Sequence, residues 1–165
     1  MKKLLKSLFK LFRQIIFNFK YNNYFKNEAV HISFVCDNFK GLSLGEKVYI
    51  GPYCHFDARG TIELHDYCII APHVKIWSYN HDFKSEMIPY GNEDIYKKVI
   101  IGKGCWIGLG AIILPGSIIG EGAIIGAGSV ISGNIPPFTI VRPPYALGEP
   151  IRTNKTEGLY QRMFK

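Results

Sequence analysis

Residues 101–136 read IGKGCW IGLGAI ILPGSI IGEGAI IGAGSV ISGNIP, six hexads in succession without a slip. Each opens with Ile, and Gly follows in four of them (Gly102, Gly108, Gly120 and Gly126). The fifth position of the first five is small: Cys105, Ala111, Ser117, Ala123 and Ser129. An aliphatic residue every six positions cannot form the stripe of an amphipathic helix, which needs returns at three and four. It suits short strands separated by tight turns, each strand sending one side chain into a narrow interior. Small residues fit where the chain turns sharply, and glycine adopts conformations there that others avoid. Three such strands close a triangular coil, and stacked coils bury one column of Ile, Leu and Val. The spacing predicts an all-β chain wound as a parallel β-helix.

The same register runs outward toward the N-terminus. It appears as LGEKVY and IGPYCH from Leu44, then as a longer unit opening at Phe56, then as LHDYCI, IAPHVK and IWSYNH from Leu64. A dozen hexads predict about four coils. In this reading Cys54, Cys68 and Cys105 are small turn residues. None of the four cysteines has C-x-x-C spacing, which suits a reducing compartment and points to the cytoplasm. The repeat breaks once, after His81, where DFKSEMIPYGNEDIYKK (residues 82–98) projects as a loop before Val99 and Ile101 resume the pattern. Loops of this length inside a compact repeat usually carry function.

Length and charge bound the rest. A chain of 165 residues with 47% hydrophobic content makes one domain with a continuous core. Its net charge of +7 is unevenly placed. Lys2, Lys3, Lys6, Lys10, Arg13, Lys20 and Lys26 sit in residues 1–27 without any acid, so the remainder is formally neutral. Residues 4–19 read as a helix with a basic arc of roughly 100° beside an apolar arc of about 160°. That pattern fits a helix lying on an anionic membrane surface, each basic residue adding about 1 kcal/mol. It equally fits a cap on the open end of the solenoid. The expected organisation is a basic amphipathic arm (1–30), a β-helix (31–141) and a C-terminal tail (142–165).

The hexads, the segment IAPHVKIWSYNHDF and the run GCWIGLGAIILPGSIIGEGAIIGAGSVISGNIPPFTIV together resemble the hexapeptide-repeat acyltransferases. The likeness covers residues 44–141 and is greatest to the galactoside and maltose acetyltransferases and to O-acetyltransferases of bacterial surface polysaccharides. It implies a left-handed β-helix and a homotrimer, with acetyl-CoA in the cleft between neighbouring copies. It also implies that the activity needs no metal and that His81 is the catalytic base acting on the acceptor hydroxyl. A neutral imidazole is suited to that task near pH 7, since a sugar hydroxyl is a poor nucleophile until its proton is taken. Carried over by motif, Leu109 offers the backbone N–H for the developing oxyanion. Trp106, Ala127 and Ser132 lie along the coenzyme, and Asn80 and Asp57 line the acceptor pocket. Arg142, Arg152 and Lys155 are candidates for the CoA phosphates. The chain has VRPPYALGEP where many relatives carry Gly-x-Pro-Ala, which separates its C-terminal coenzyme contacts from theirs. The group that orients His81 is open between Asp82, Glu86, Asp57 and a backbone carbonyl.

The expected activity is acetyl transfer from acetyl-CoA to a sugar hydroxyl in surface polysaccharide synthesis (O-antigen, capsule or exopolysaccharide). The arm would hold the enzyme peripherally at the inner face of the plasma membrane. An amino group of a nucleotide sugar is the alternative acceptor. A non-catalytic β-helix scaffold is the alternative of another class, and it would have no need of His81 or the excursion. A carbonic-anhydrase-like zinc site needs three converging histidines, and none follows His81. Nucleic acid is a poor partner for a neutral body. His31, His55, His65 and His73 read as structural.

Overall fold

A computed structural model of the chain describes residues 30–143, except 83, 86, 88–90 and 92. The N-terminal arm and nearly all of the C-terminal tail, including Arg152 and Lys155, lie outside the described residues.

Seventeen short strands form three parallel five-stranded sheets and one two-stranded ribbon. The first face stacks Val35–Asp37, His55–Asp57, Lys75–Trp77, Ile112–Ile113 and Val130–Ile131. The second stacks Leu42–Leu44, Ile62–Leu64, Val99–Ile101, Ile118–Ile119 and Asn134–Ile135. The third stacks Tyr49–Ile50, Ile69–Ile70, Trp106–Ile107, Ile124–Ile125 and Ile140–Val141. The chain visits the faces in that order in every rung, so the molecule is a three-sided parallel β-solenoid of five rungs. About four coils were expected from the hexads. The extra rung comes from the segment before Leu44, where Val35–Asp37 pairs with His55–Asp57 and Val30 bridges to Ile50.

The interior holds the column that the spacing predicts. Ile50, Ile70, Ile76, Ile101, Ile107, Ile113, Ile119 and Ile125 are all buried, one per strand. Burying each such side chain stabilises the fold by about 1.5–3 kcal/mol. The small fifth residues Cys54, Cys68, Cys105, Ala111, Ser117, Ala123 and Ser129 fill the corners and are equally buried. Burial pushes the Cys54 thiol up to about 11. Burial, then the neighbouring Asp37 and Asp57 carboxylates, push Cys36 to about 12. Neither thiol is a nucleophile near neutral pH.

Glycines two and four places into a hexad answer different demands. A Cβ on Gly108 would meet the backbone nitrogen of Ala127 and the carbonyl oxygen of Ile125 at 2.6 Å, because the next rung lies directly against it. Gly110 has open space around it but a φ of +65°, the left-handed region.

The corner between the first and second faces departs from the hexad, and it does so in the three lowest rungs. There the rungs repeat every twenty residues: Val35, His55 and Lys75 pair in register, as do Leu42 and Ile62. In the first rung this corner is Asn38 and the short 3-10 turn Phe39–Gly41, with Asn38 Nδ2 donating to the Ala58 carbonyl (3.3 Å). In the second it runs from Ala58 to Thr61, closed by Thr61 N–H on Ala58 O (3.1 Å). In the third it opens. The chain leaves at Ser78 and returns at Lys97, and the Lys97 N–H donates to the Ser78 carbonyl (2.8 Å). The excursion is therefore a distended corner stacked on two that are already enlarged. Its stem is an antiparallel ribbon of Tyr79–His81 with Asp94–Tyr96, so its last residues are strand where the sequence suggested a simple loop over 82–98. Among the described residues no helix is long and apolar enough to cross a membrane.

Candidate active site

Strand alternation after the first face sets the site. Ile76 and Ser78 point inward and are buried, so Trp77, Tyr79 and His81 lie on the opposite side of the strand. Ser78 fixes the point of departure. Its hydroxyl donates to Asp57 O (2.7 Å) and accepts from Gly60 N–H (2.8 Å). Gly60 is needed there because a Cβ would run into the Ser78 carbonyl oxygen.

His81 stands on the ribbon opposite Asp94, with its imidazole exposed. Nδ1 lies 3.1 Å from Asp94 Oδ1. A carboxylate there favours the tautomer with the proton on Nδ1 and Nε2 unprotonated. Tyr79 Oη is 3.2 Å from both ring nitrogens, and the two rings meet edge to face at 5.4 Å. Tyr96, across the ribbon from Tyr79, flanks it at 5.8 Å. Among the described residues the carboxylate on the His81 ring is that of Asp94, which the sequence did not offer. Asp82 Oδ1 is engaged by the Lys84 N–H (2.9 Å), Asp57 by Arg59, and Glu86 is outside the described residues.

The two residues expected to line the acceptor pocket differ in character. Asn80 is exposed next to His81, and its Oδ1 accepts from the His81 N–H at 2.9 Å. Asp57 is buried, 2% exposed, and both carboxylate oxygens are occupied by Arg59. Burial alone would raise its carboxyl, but the Arg59 hydrogen bonds and charge outweigh this and hold it below the ordinary value. As placed, Asp57 faces Arg59 and is closed to solvent.

The candidates for the coenzyme fall on two edges. Leu109, Ala127 and Arg142 follow third-face strands and stack along the edge between the third and first faces; Gly128 N–H donates to the Leu109 carbonyl at 2.8 Å. Trp106 lies on the third face between Ile69 and Ile124, half exposed. His81 is on the edge between the first and second faces, as is Ser132, which follows Val130–Ile131. Within a single chain His81 and Leu109 therefore lie on different edges of the solenoid.

The remaining histidines have local partners or surface positions. His55 Nε2 is 2.8 Å from Asp37 Oδ2 with its ring edge-on to Trp77, His31 contacts Ser33 Oγ at 2.8 Å, and His73 stacks on Tyr53 at 5.1 Å. His65 is exposed. Among the described residues no three His, Cys, Asp or Glu side chains group as metal ligands.

Six-residue turns on three parallel faces, broken once at an exposed imidazole, define a hexapeptide-repeat protein. The family described as bacterial transferase hexapeptide (six repeats) matches residues 98–133. Comparison with curated proteins gives no match. Among solved structures, a maltose O-acetyltransferase from Clostridium difficile 630 is 28% identical over 93% of this chain and 90% of its own, with a TM-score of 0.67. A galactoside acetyltransferase in complex with coenzyme A is 28% identical over 65% of this chain, with a TM-score of 0.61. A hexapeptide-repeat acetyltransferase from Vibrio cholerae, complexed with acetyl coenzyme A, is 25% identical over 70% of this chain, with a TM-score of 0.62. The chain spans 53% of the galactoside enzyme and 66% of the Vibrio protein. In its repeat and its fold the chain is similar to the hexapeptide-repeat acetyltransferases.

Proposed function

We propose that this chain transfers an acetyl group from acetyl-CoA directly to a sugar hydroxyl, with His81 as general base. The observation that carries the reading is the pairing of an exposed imidazole with Asp94 at the one place where the repeat opens. The hydroxyl oxygen attacks the thioester carbonyl while His81 Nε2 takes its proton; collapse of the tetrahedral intermediate expels the CoA sulfur, which recovers that proton. General-base help of this kind is worth roughly 10²–10⁴-fold. No acyl-enzyme is needed, in keeping with cysteines that are all buried, Cys36 and Cys54 with thiols pushed up by that burial. The hydroxyl acceptor is supported by neighbours that act on a galactoside and on maltose.

The active unit in this reading is a trimer. His81 of one copy faces the edge of the next, where the Leu109 N–H meets the oxyanion and Ala127, Trp106 and Arg142 run beside the coenzyme. We place the acceptor among surface polysaccharide precursors on the cytoplasmic side of the membrane, with the basic arm as the tether. Liposome binding that survives deletion of residues 1–20 would remove the tether from this scheme.

The test is thiol release from acetyl-CoA, run with maltose, a galactoside, an amino nucleotide sugar and a lipid-linked oligosaccharide, with product mass confirming the site. Hydroxyl acetylation that disappears in His81→Ala, while the trimer and CoA binding persist, is the expected result. Full turnover in that variant overturns the assignment, and transfer only to the amine replaces the hydroxyl acceptor with an amine.

A further inference from the structure

We propose that Arg59, anchored by the buried carboxylate of Asp57, is a positioning residue for His81 that acts through the ring of Tyr79. The inference rests on His81 being the base, and it adds the groups that hold the base in place.

The argument follows the side chains outward from the solenoid wall. Asp57 lies on the first face, buried, with its neighbours in the rungs below and above in register. Arg59 grips it through three side-chain contacts: Nε to Oδ1 at 2.9 Å, Nε to Oδ2 at 3.1 Å and Nη2 to Oδ2 at 2.6 Å. The Arg59 backbone N–H adds a fourth contact to Oδ1 at 3.2 Å. This fork fixes the plane of the guanidinium, as a lysine ammonium would not. The guanidinium carbon then sits 3.5 Å from the centroid of the Tyr79 ring. Cation over aromatic face is attractive, and a fixed cation holds the ring beneath it. Tyr79 presents its hydroxyl to both nitrogens of His81.

His81 otherwise has little to hold it. Its side chain is 66% exposed and stands on a two-stranded ribbon, an element that is marginal by itself. Asp94, the other group on its ring, belongs to the same ribbon and moves with it. The contact chain through Tyr79 and Arg59 connects the imidazole to the solenoid wall. The enlarged corner beneath supplies it: the core positions Phe56 and Leu64 are eight residues apart where the equivalent Ile113 and Ile119 are six apart, and Arg59 lies in the longer path. Displacement of a catalytic group by about 1 Å can cost about 10²-fold in rate.

Two readouts test this. The ring signals of the five histidines in a proton–carbon correlation spectrum are assigned by the loss of one in His81→Ala. In Arg59→Ala the His81 signal should shift and broaden while the His55 signal, held by Asp37 and Trp77, stays in place. In thiol release with maltose or a galactoside, kcat should fall about 10–100-fold while KM for acetyl-CoA changes less than twofold. Arg59→Lys should recover only part of that, because it keeps the charge and loses the fork. Since Arg59→Ala strands a buried carboxylate, the double variant Asp57→Asn/Arg59→Met is measured beside it and should give the same two changes in a folded trimer. Tyr79→Leu should match it.

A folded Arg59 variant with an unmoved His81 signal and wild-type kcat overturns the proposal. If His81→Ala turns over normally, the base assignment has failed; the spectrum still decides whether Arg59 positions the ring.

Discussion

The lower and upper rungs solve the same geometric problem with different residues. In the upper half the fourth place of five successive hexads is glycine, and Gly104, Gly110, Gly116, Gly122 and Gly128 all take positive φ. In the lower half the equivalent places are Lys47, Tyr53, Tyr67 and His73, equally left-handed but with full side chains. Those side chains are put to use: Tyr53 stacks on His73, and Lys47 lies over the Tyr67 ring. The lower rungs also carry the enlarged corner, whereas the upper pairings shorten to eighteen and then sixteen residues, as in Ile112 with Val130 and Ile118 with Asn134. The upper half is a regular spindle. The lower half accepts backbone strain and irregular corners, and His81 with its contacts lies there.

The contrast can be broken most severely at the site. His81→Ala should lower acetyl transfer by roughly 10²–10⁴-fold, read by thiol release, with the melting temperature nearly unchanged. Next in size is the upper core. Ile113→Ala should cost about 2–5 kcal/mol by denaturant unfolding, because its rung closes only partly over the void. Two glycines separate the two demands on a hexad. Gly110→Ala, with open space but left-handed backbone, should cost about 1–2 kcal/mol. Gly108→Ala forces two rungs apart and should cost more than Gly110→Ala; equal costs would mean that backbone approach is not what selects glycine at the second place. The smallest effect sharpens the comparison from the other side. Thr61 is β-branched with φ +74°, and Thr61→Gly should stabilise the lower half by about 0.5–1 kcal/mol.

Alkaline pH gives an independent check on the corners. Cys54 is raised in the folded state from an ordinary 9.0 to about 11, so its contribution is intact below pH 9 and fades as pH rises toward 11. Cys54→Ala should flatten that part of the melting-temperature profile.

The upper half was legible because its rungs are whole hexads, so Ile, Gly and a small residue recur in phase. The fourth-place glycines stood in the same six hexads, yet only the second-place ones were given meaning; five in a row was the signal for the left-handed corner. The first rung lay inside the expected β-helix (31–141) but was not counted as a coil, because residues 31–43 contain no Ile-Gly hexad. His81 was visible for the opposite reason, as the residue at which the count fails. Asp94 was not, since its place opposite His81 depends on ribbon pairing across a segment with no period. Arg59 and Tyr79 were missed because neither has meaning until Asp57 is known to be buried.

The way the ribbon is rooted has a practical consequence. Departure at Ser78 and return at Lys97 are locked by main-chain and hydroxyl bonds that belong to the wall, not to the segment between Asp82 and Glu93. Replacing residues 82–93 with sequences of other lengths should therefore leave the melting temperature of the spindle nearly unchanged.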